Sequence, residues 1–210
     1  MMDAYQGYRA GLFYLRTGNP AIAGIELAGS VDQWRALEQS YAAHPPAGYV
    51  ADKGFGDSLR RIGDALALGL EKTMAGDVKA AQEILLPLRD RMGDLRASNG
   101  FYLHADCIND LNGLMDKLYR FRHKPPDMTS EAVRQDLTRE TEAYIAKLAA
   151  CKTSSEHRYG GDERVSDLFD GTRQSIESLL PAIEARDPTR VVNIIRELRS
   201  FDRMLFLTAG

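Results

Sequence analysis

Several things are scarce in this chain, and each scarcity removes a class of protein. Charges interrupt the apolar runs every few positions, so no stretch approaches the roughly 18 uninterrupted apolar residues of a membrane span. A basic excess is missing too: the net charge is -3, the pI is near 5.8, and no run of five basic residues occurs, which argues against a nucleic-acid partner. The opening "MMDAYQGYRAG" lacks the basic start and apolar segment of a signal peptide, and its doubled Met reads as an artificial start on a trimmed chain. Two cysteines do not by themselves fix a redox compartment. No nucleophile elbow, Gly-rich phosphate loop or HExxH motif is present, so enzyme chemistry is not expected.

What is present is an ordinary globular composition, 44% hydrophobic and 27% charged, arranged almost everywhere at helical spacing. Leu27, Val31, Trp34, Leu37 and Tyr41 make one apolar stripe, and Phe55, Leu59, Ile62, Leu66 and Leu70 make another. Leu103, Cys107, Leu111, Leu114, Leu118 and Phe121 make a third, and the chain ends on Val191, Ile195, Leu198, Met204 and Leu207. Strand-type alternation is absent, and the fold class is therefore all-α.

Turn chemistry divides the stripes into about eight helices. "TGNP" at 17–20, "AGDV" at 75–78 and "ARDPT" at 185–189 are tight helix–helix turns, with Asp187 as an N-cap and Pro20 and Pro188 at first helical positions. Longer breaks are expected at "HPPAGYVADKG", "SNG", "HKPPDMTS" and "TSSEHRYGGDE". Pro87 falls inside the fourth helix and should kink it, whereas Glu197 occupies the corresponding place in the second half.

The two halves also resemble each other. At an offset of 110 residues, Asp52 meets Asp162, Asp57 meets Asp167, Asp77 meets Asp187, Trp34 meets Tyr144, and both halves close on glycine. The expected organisation is a pseudo-duplicated tandem pair of up-down four-helix bundles, residues 1–98 and 99–210. A single tetratricopeptide-like match at "AGLFYLRTGNPAIA", residues 10–23, does not extend into an array, because the turns do not recur at the period of about 34 residues.

The block "HPPAGYVADKGFGDSLRRIGDALALGLEKTMAGDVKAAQEILLPLRDRM", residues 44–92, resembles the second half of the soluble b-type cytochrome (cytochrome c-prime-like) four-helix-bundle family. The resemblance implies a four-helix fold of periplasmic type. It does not carry the haem across, because the family's axial histidine position falls at Arg96 in the first half and Phe206 in the second, and no CxxCH occurs.

One segment concentrates ligand chemistry: "FYLHADCIND", residues 101–110. On a helix His104 and Cys107 share a face, as do Asp106 and Asp110, so the four could offer ligands to zinc, copper or iron. The plainer reading makes Cys107 a core thiol on its stripe and makes the acids first-turn partners of a helix N-terminus. Cys107 and Cys151 both lie on core stripes of neighbouring helices. Counted from the connecting loop, however, they are about fifteen and about twenty-two residues away, a mismatch of roughly 10 Å that speaks against a disulfide across a symmetric loop. His44, His123 and His157 are scattered over expected breaks. The function expected from these observations is a non-enzymatic interaction, sensor or ligand-binding module, extracytoplasmic as the resemblance implies, that takes a protein partner or small ligand and needs no cofactor; the alternative is a metal-handling bundle using His104, Asp106, Cys107 and Asp110.

Overall fold

Helix-forming periodicity produces helices throughout. The computed structural model describes residues 2–159 and 162–210, so Gly160 and Gly161 of the expected break "TSSEHRYGGDE" lie outside the described residues. The described residues form α1 (Met2–Arg16), α2 (Pro20–Tyr41), α3 (Phe55–Met74), α4 (Val78–Leu85), α5 (Leu88–Ala97), α6 (His104–Tyr119), α7 (Glu131–Tyr159), α8 (Glu163–Glu177), α9 (Leu179–Glu184) and α10 (Pro188–Thr208), with no strand among them. α4 and α5 are two halves of one rod broken at Pro87, as the missing N–H of proline requires. α8 and α9 are likewise one rod, broken at Ser178 just ahead of Pro181, which cannot donate to the carbonyl of Glu177. Eight rods result, and the second break falls in a different rod from the first.

The chain divides into two compact units, Met1–Tyr102 and Leu103–Gly210. The division lies four residues beyond the expected 98/99 boundary because the chain turns back after α5. The Phe101 N–H donates to the Arg96 carbonyl at 2.9 Å, and its ring stacks on Tyr49 with centroids 5.1 Å apart. In the first unit α1 packs on α2, α2 on α3, α3 on α4 and α5, and α1 closes the bundle against α4. In the second, α6 packs on α7, α7 on α8 and α9, and α10 closes against α6, α8 and α9. Each unit is thus an up-down four-helix bundle.

Three tight turns hold the rods by the same device. Asn19, Asp77 and Asp187 each accept a hydrogen bond from a first-turn N–H, of Ile22, Ala80 and Arg190 respectively. The residue before each cap must reverse the chain in the left-handed region: Gly18 and Gly76 do so at φ +83° and +77°, and Arg186 does so at +53°.

Polar anchors fix the first core. The indole N–H of Trp34 donates to the Leu59 carbonyl at 2.8 Å, joining α2 to α3. The Tyr8 hydroxyl donates at 2.8 Å to the Leu85 carbonyl, one of the last-turn acceptors that the break at Pro87 leaves without an intrahelical donor. Burial, with a smaller push from Tyr5, holds the Tyr8 phenol well above its ordinary range, so it remains a donor at any physiological pH.

One expected break is shorter than its composition suggests. α7 continues through Thr153 to Tyr159 and carries the backbone of His157 with it. The hydroxyls that marked this stretch as a loop bond back onto the helix instead, Thr153 to the Ala149 carbonyl and Ser155 to the Lys152 carbonyl. No helix among the described residues is long and apolar enough to cross a membrane.

Candidate functional site

The segment richest in ligand chemistry begins α6, and each of its four residues has its own local role. Asp106 sits in the first turn, buried, and its carboxylate accepts the Leu103 N–H at 2.8 Å. His104 is 7% exposed, with its ring centroid 6.4 Å from that of Phe169 on α8. Asp110 reaches across to α7 and pairs with Lys147 at 2.9 Å. Cys107 is bonded to Cys151 with the Cα atoms 5.6 Å apart. Among the described residues no three His, Cys, Asp or Glu side chains are grouped to hold a metal ion, and the four do not converge as a donor set.

The disulfide corrects the sequence argument, which assumed a symmetric loop. From Cys107 to the end of the 3-10 turn Arg120–Arg122 the chain climbs about 24 Å, and from Glu131 to Cys151 about 30 Å, at 1.5 Å per α and 2.0 Å per 3-10 residue. The proline-bearing connector 123–130 absorbs the remaining difference of about 6 Å, since extended chain covers about 3.3 Å per residue. Unequal helix lengths therefore place the two sulfur atoms opposite each other.

A polar cluster in the second unit was not singled out from the sequence. Asp202 of α10 is 2% exposed; it accepts from the Asn112 amide of α6 at 2.6 Å and from the Arg199 guanidinium at 3.0 Å. Arg199 also pairs with Asp116 at 2.8 Å and lies 5.0 Å from the centre of the Tyr119 ring. Tyr144 of α7 is fully buried, and its phenol is raised well above the ordinary range, first by burial and then by the charge of Asp202. The readable signal was register: continuing from Ile195 and Leu198, a helical stripe reaches Asp202 and Leu205, both buried, rather than Met204 and Leu207. An acid at a core position is the feature to look for.

The first unit carries the open site. A cleft of about 590 Å³ lies along α3 and α5, lined by Asp52, Ser58, Arg61, Ile62, Arg91, Asp94, Leu95 and Ser98. Its lining follows from helix geometry: Ser58, Arg61 and Ile62 are one stripe of α3, and Arg91, Asp94 and Leu95 are one stripe of α5 that its C-cap Ser98 continues. Ile62 and Leu95 are buried and supply its apolar part. At one end Asp52 is engaged, accepting from the Gly54 N–H at 2.8 Å and the Asn99 amide at 3.0 Å. The neighbouring arginines Arg60 and Arg89 pair with Asp57 and Asp90, whereas Arg61, Arg91 and Asp94 make no ion pair with any described residue.

Comparison with protein-family models, with curated proteins and with solved structures finds no match to this chain.

Proposed function

We propose that this protein is a non-enzymatic binding module of tandem helical-bundle architecture that works outside the reducing cytoplasm and takes a small ligand in the cleft between α3 and α5. The observation that carries this reading is the cleft, where three charged side chains face solvent without an ion-pair partner while comparable groups of the second unit engage one another in the core. Its size lies within the roughly 300–1,000 Å³ of small-molecule sites.

The Cys107–Cys151 bond supports the compartment, because structural disulfides persist where glutathione does not reduce them. The resemblance of residues 44–92 to b-type cytochrome bundles points the same way, although Arg96 and Phe206 at the ligand positions keep haem out of the proposal. A metal-handling role gains no support from the His104–Asp110 segment, since its thiol is bonded and its acids are engaged elsewhere.

The test is a backbone amide NMR titration of the full chain against a small-molecule library. Hits whose shifts concentrate on residues 52–62 and 91–98 are expected. A library that perturbs only residues elsewhere, or none, would sink the reading.

A further inference from the structure

We infer that the α3–α5 cleft takes a zwitterion of the amino-acid or short-peptide class, with its carboxylate on Arg61 and Arg91, its ammonium on Asp94 and an apolar side chain against Ile62 and Leu95. This rests on the binding reading above and narrows it to a ligand chemistry.

The lining carries two arginines and two aspartates, so its formal charge is zero, yet the charges are not neutralised as pairs. A simple anion gains at the arginines and loses at Asp94; a simple cation does the reverse. A ligand with both charges gains at each, and each attraction strengthens as solvent is displaced. Arg61 and Arg91 suit a carboxylate because the guanidinium fork matches its two oxygens. Asp52 is half-buried and fixed by the Gly54 N–H and the Asn99 amide, whereas Asp94 is exposed, so Asp94 is the acid that can turn toward an ammonium. Ser58 and Ser98 add hydroxyls that can donate or accept along a peptide backbone.

The volume also bears on the class. A space of about 590 Å³ is larger than one amino acid requires and accommodates a dipeptide with its bound water. Two other surface clefts, one lined by Glu131, Arg134, Arg139 and Glu142 and one by Asp3, Gln33 and Ser40, do not combine unpaired charges of both signs in this way.

Three probes test the inference in the oxidised 210-residue chain by calorimetry: leucyl-leucine, its N-acetyl derivative and its C-terminal amide. Leucyl-leucine is expected to bind about tenfold more tightly than either blocked form, and Asp94→Asn should reduce it to the level of the N-acetyl probe. Arg61→Gln with Arg91→Gln should weaken the dipeptide and its N-acetyl form about tenfold and leave the amide unchanged; these side chains are exposed, and circular dichroism checks that the fold persists. Equal affinity for all three probes, or variants without effect, overturns the inference. If no probe binds while the library titration yields a ligand at residues 52–62 and 91–98, the binding reading stands and the zwitterion falls; if neither gives a signal there, both fall.

Discussion

Asp202 is an acid in the middle of an apolar stripe, and its surroundings explain why it is tolerated. A carboxylate removed from water costs several kcal/mol unless charge and hydrogen bonds replace the solvent, and here Arg199 supplies the charge while Asn112 supplies a further donor. Removing Arg199 takes away the positive charge that the buried acid meets at 3.0 Å. Arg199→Met should therefore lower stability by about 3 kcal/mol, read as a shift in the denaturant midpoint by far-UV circular dichroism. Adding Asp202→Asn to that variant should recover part of the loss, because the buried charge that Arg199 balanced is then gone; a double variant less stable than the single one would contradict the account. This cluster was hidden in the sequence for a simple reason. The spacing shows which positions face inward, but an acid is ordinarily assigned outward, and the partner that reverses the assignment lies 90 residues away in Asn112. His104, Asp106, Cys107 and Asp110 stood out for the opposite reason: their proximity along the chain suggested one site, whereas the helix sends each to a different neighbour.

Between elements, the helices themselves were legible, since 3.6-residue periodicity and capped turns are local properties. The Asn19, Asp77 and Asp187 caps and the Pro87 break all follow from neighbouring residues. What was not legible depended on competition. Thr153 and Ser155 hydrogen-bond back onto α7, so polar composition did not end the helix; Pro181 divided a rod that periodicity alone kept whole, bringing Leu179 into the core and leaving Leu180 half-buried. Contacts between rods add modest increments. Lys152 of α7 bonds to Asp170 of α8 at 2.7 Å, and that hydrogen bond holds the Asp170 carboxyl below its ordinary value. The sign follows: a carboxyl depressed in the folded state stabilises above its unfolded pKa of about 3.9 and loses that contribution as pH falls through the folded value. Both side chains are partly exposed, so a double-mutant cycle with Lys152→Met and Asp170→Asn should give a coupling below about 1 kcal/mol at pH 7, vanishing in acid. Coupling that grew on acidification would refute the assignment.

At the scale of the molecule, the covalent tie and the fluorescent probe lie in different units. Cys107 and Cys151 close a loop of 44 residues through α6 and α7 in the second unit, while the single tryptophan, Trp34, is buried in the first. Chain-entropy reasoning assigns a loop of that length about 4 kcal/mol, by restricting the unfolded ensemble. Both sulfur-bearing residues are buried, so a thiol reagent must wait for the second unit to open, and the bond should survive mild reductant under native conditions. Replacing both cysteines with alanine should therefore lower the denaturation midpoint followed by ellipticity, which reports all helices, more than the midpoint followed by Trp34 emission. Mass spectrometry after alkylation, with and without denaturant, establishes which species is present in each experiment. Equal shifts in the two signals would mean that the units unfold as one cooperative body; no shift in either would mean that the cross-link does not restrain the unfolded chain.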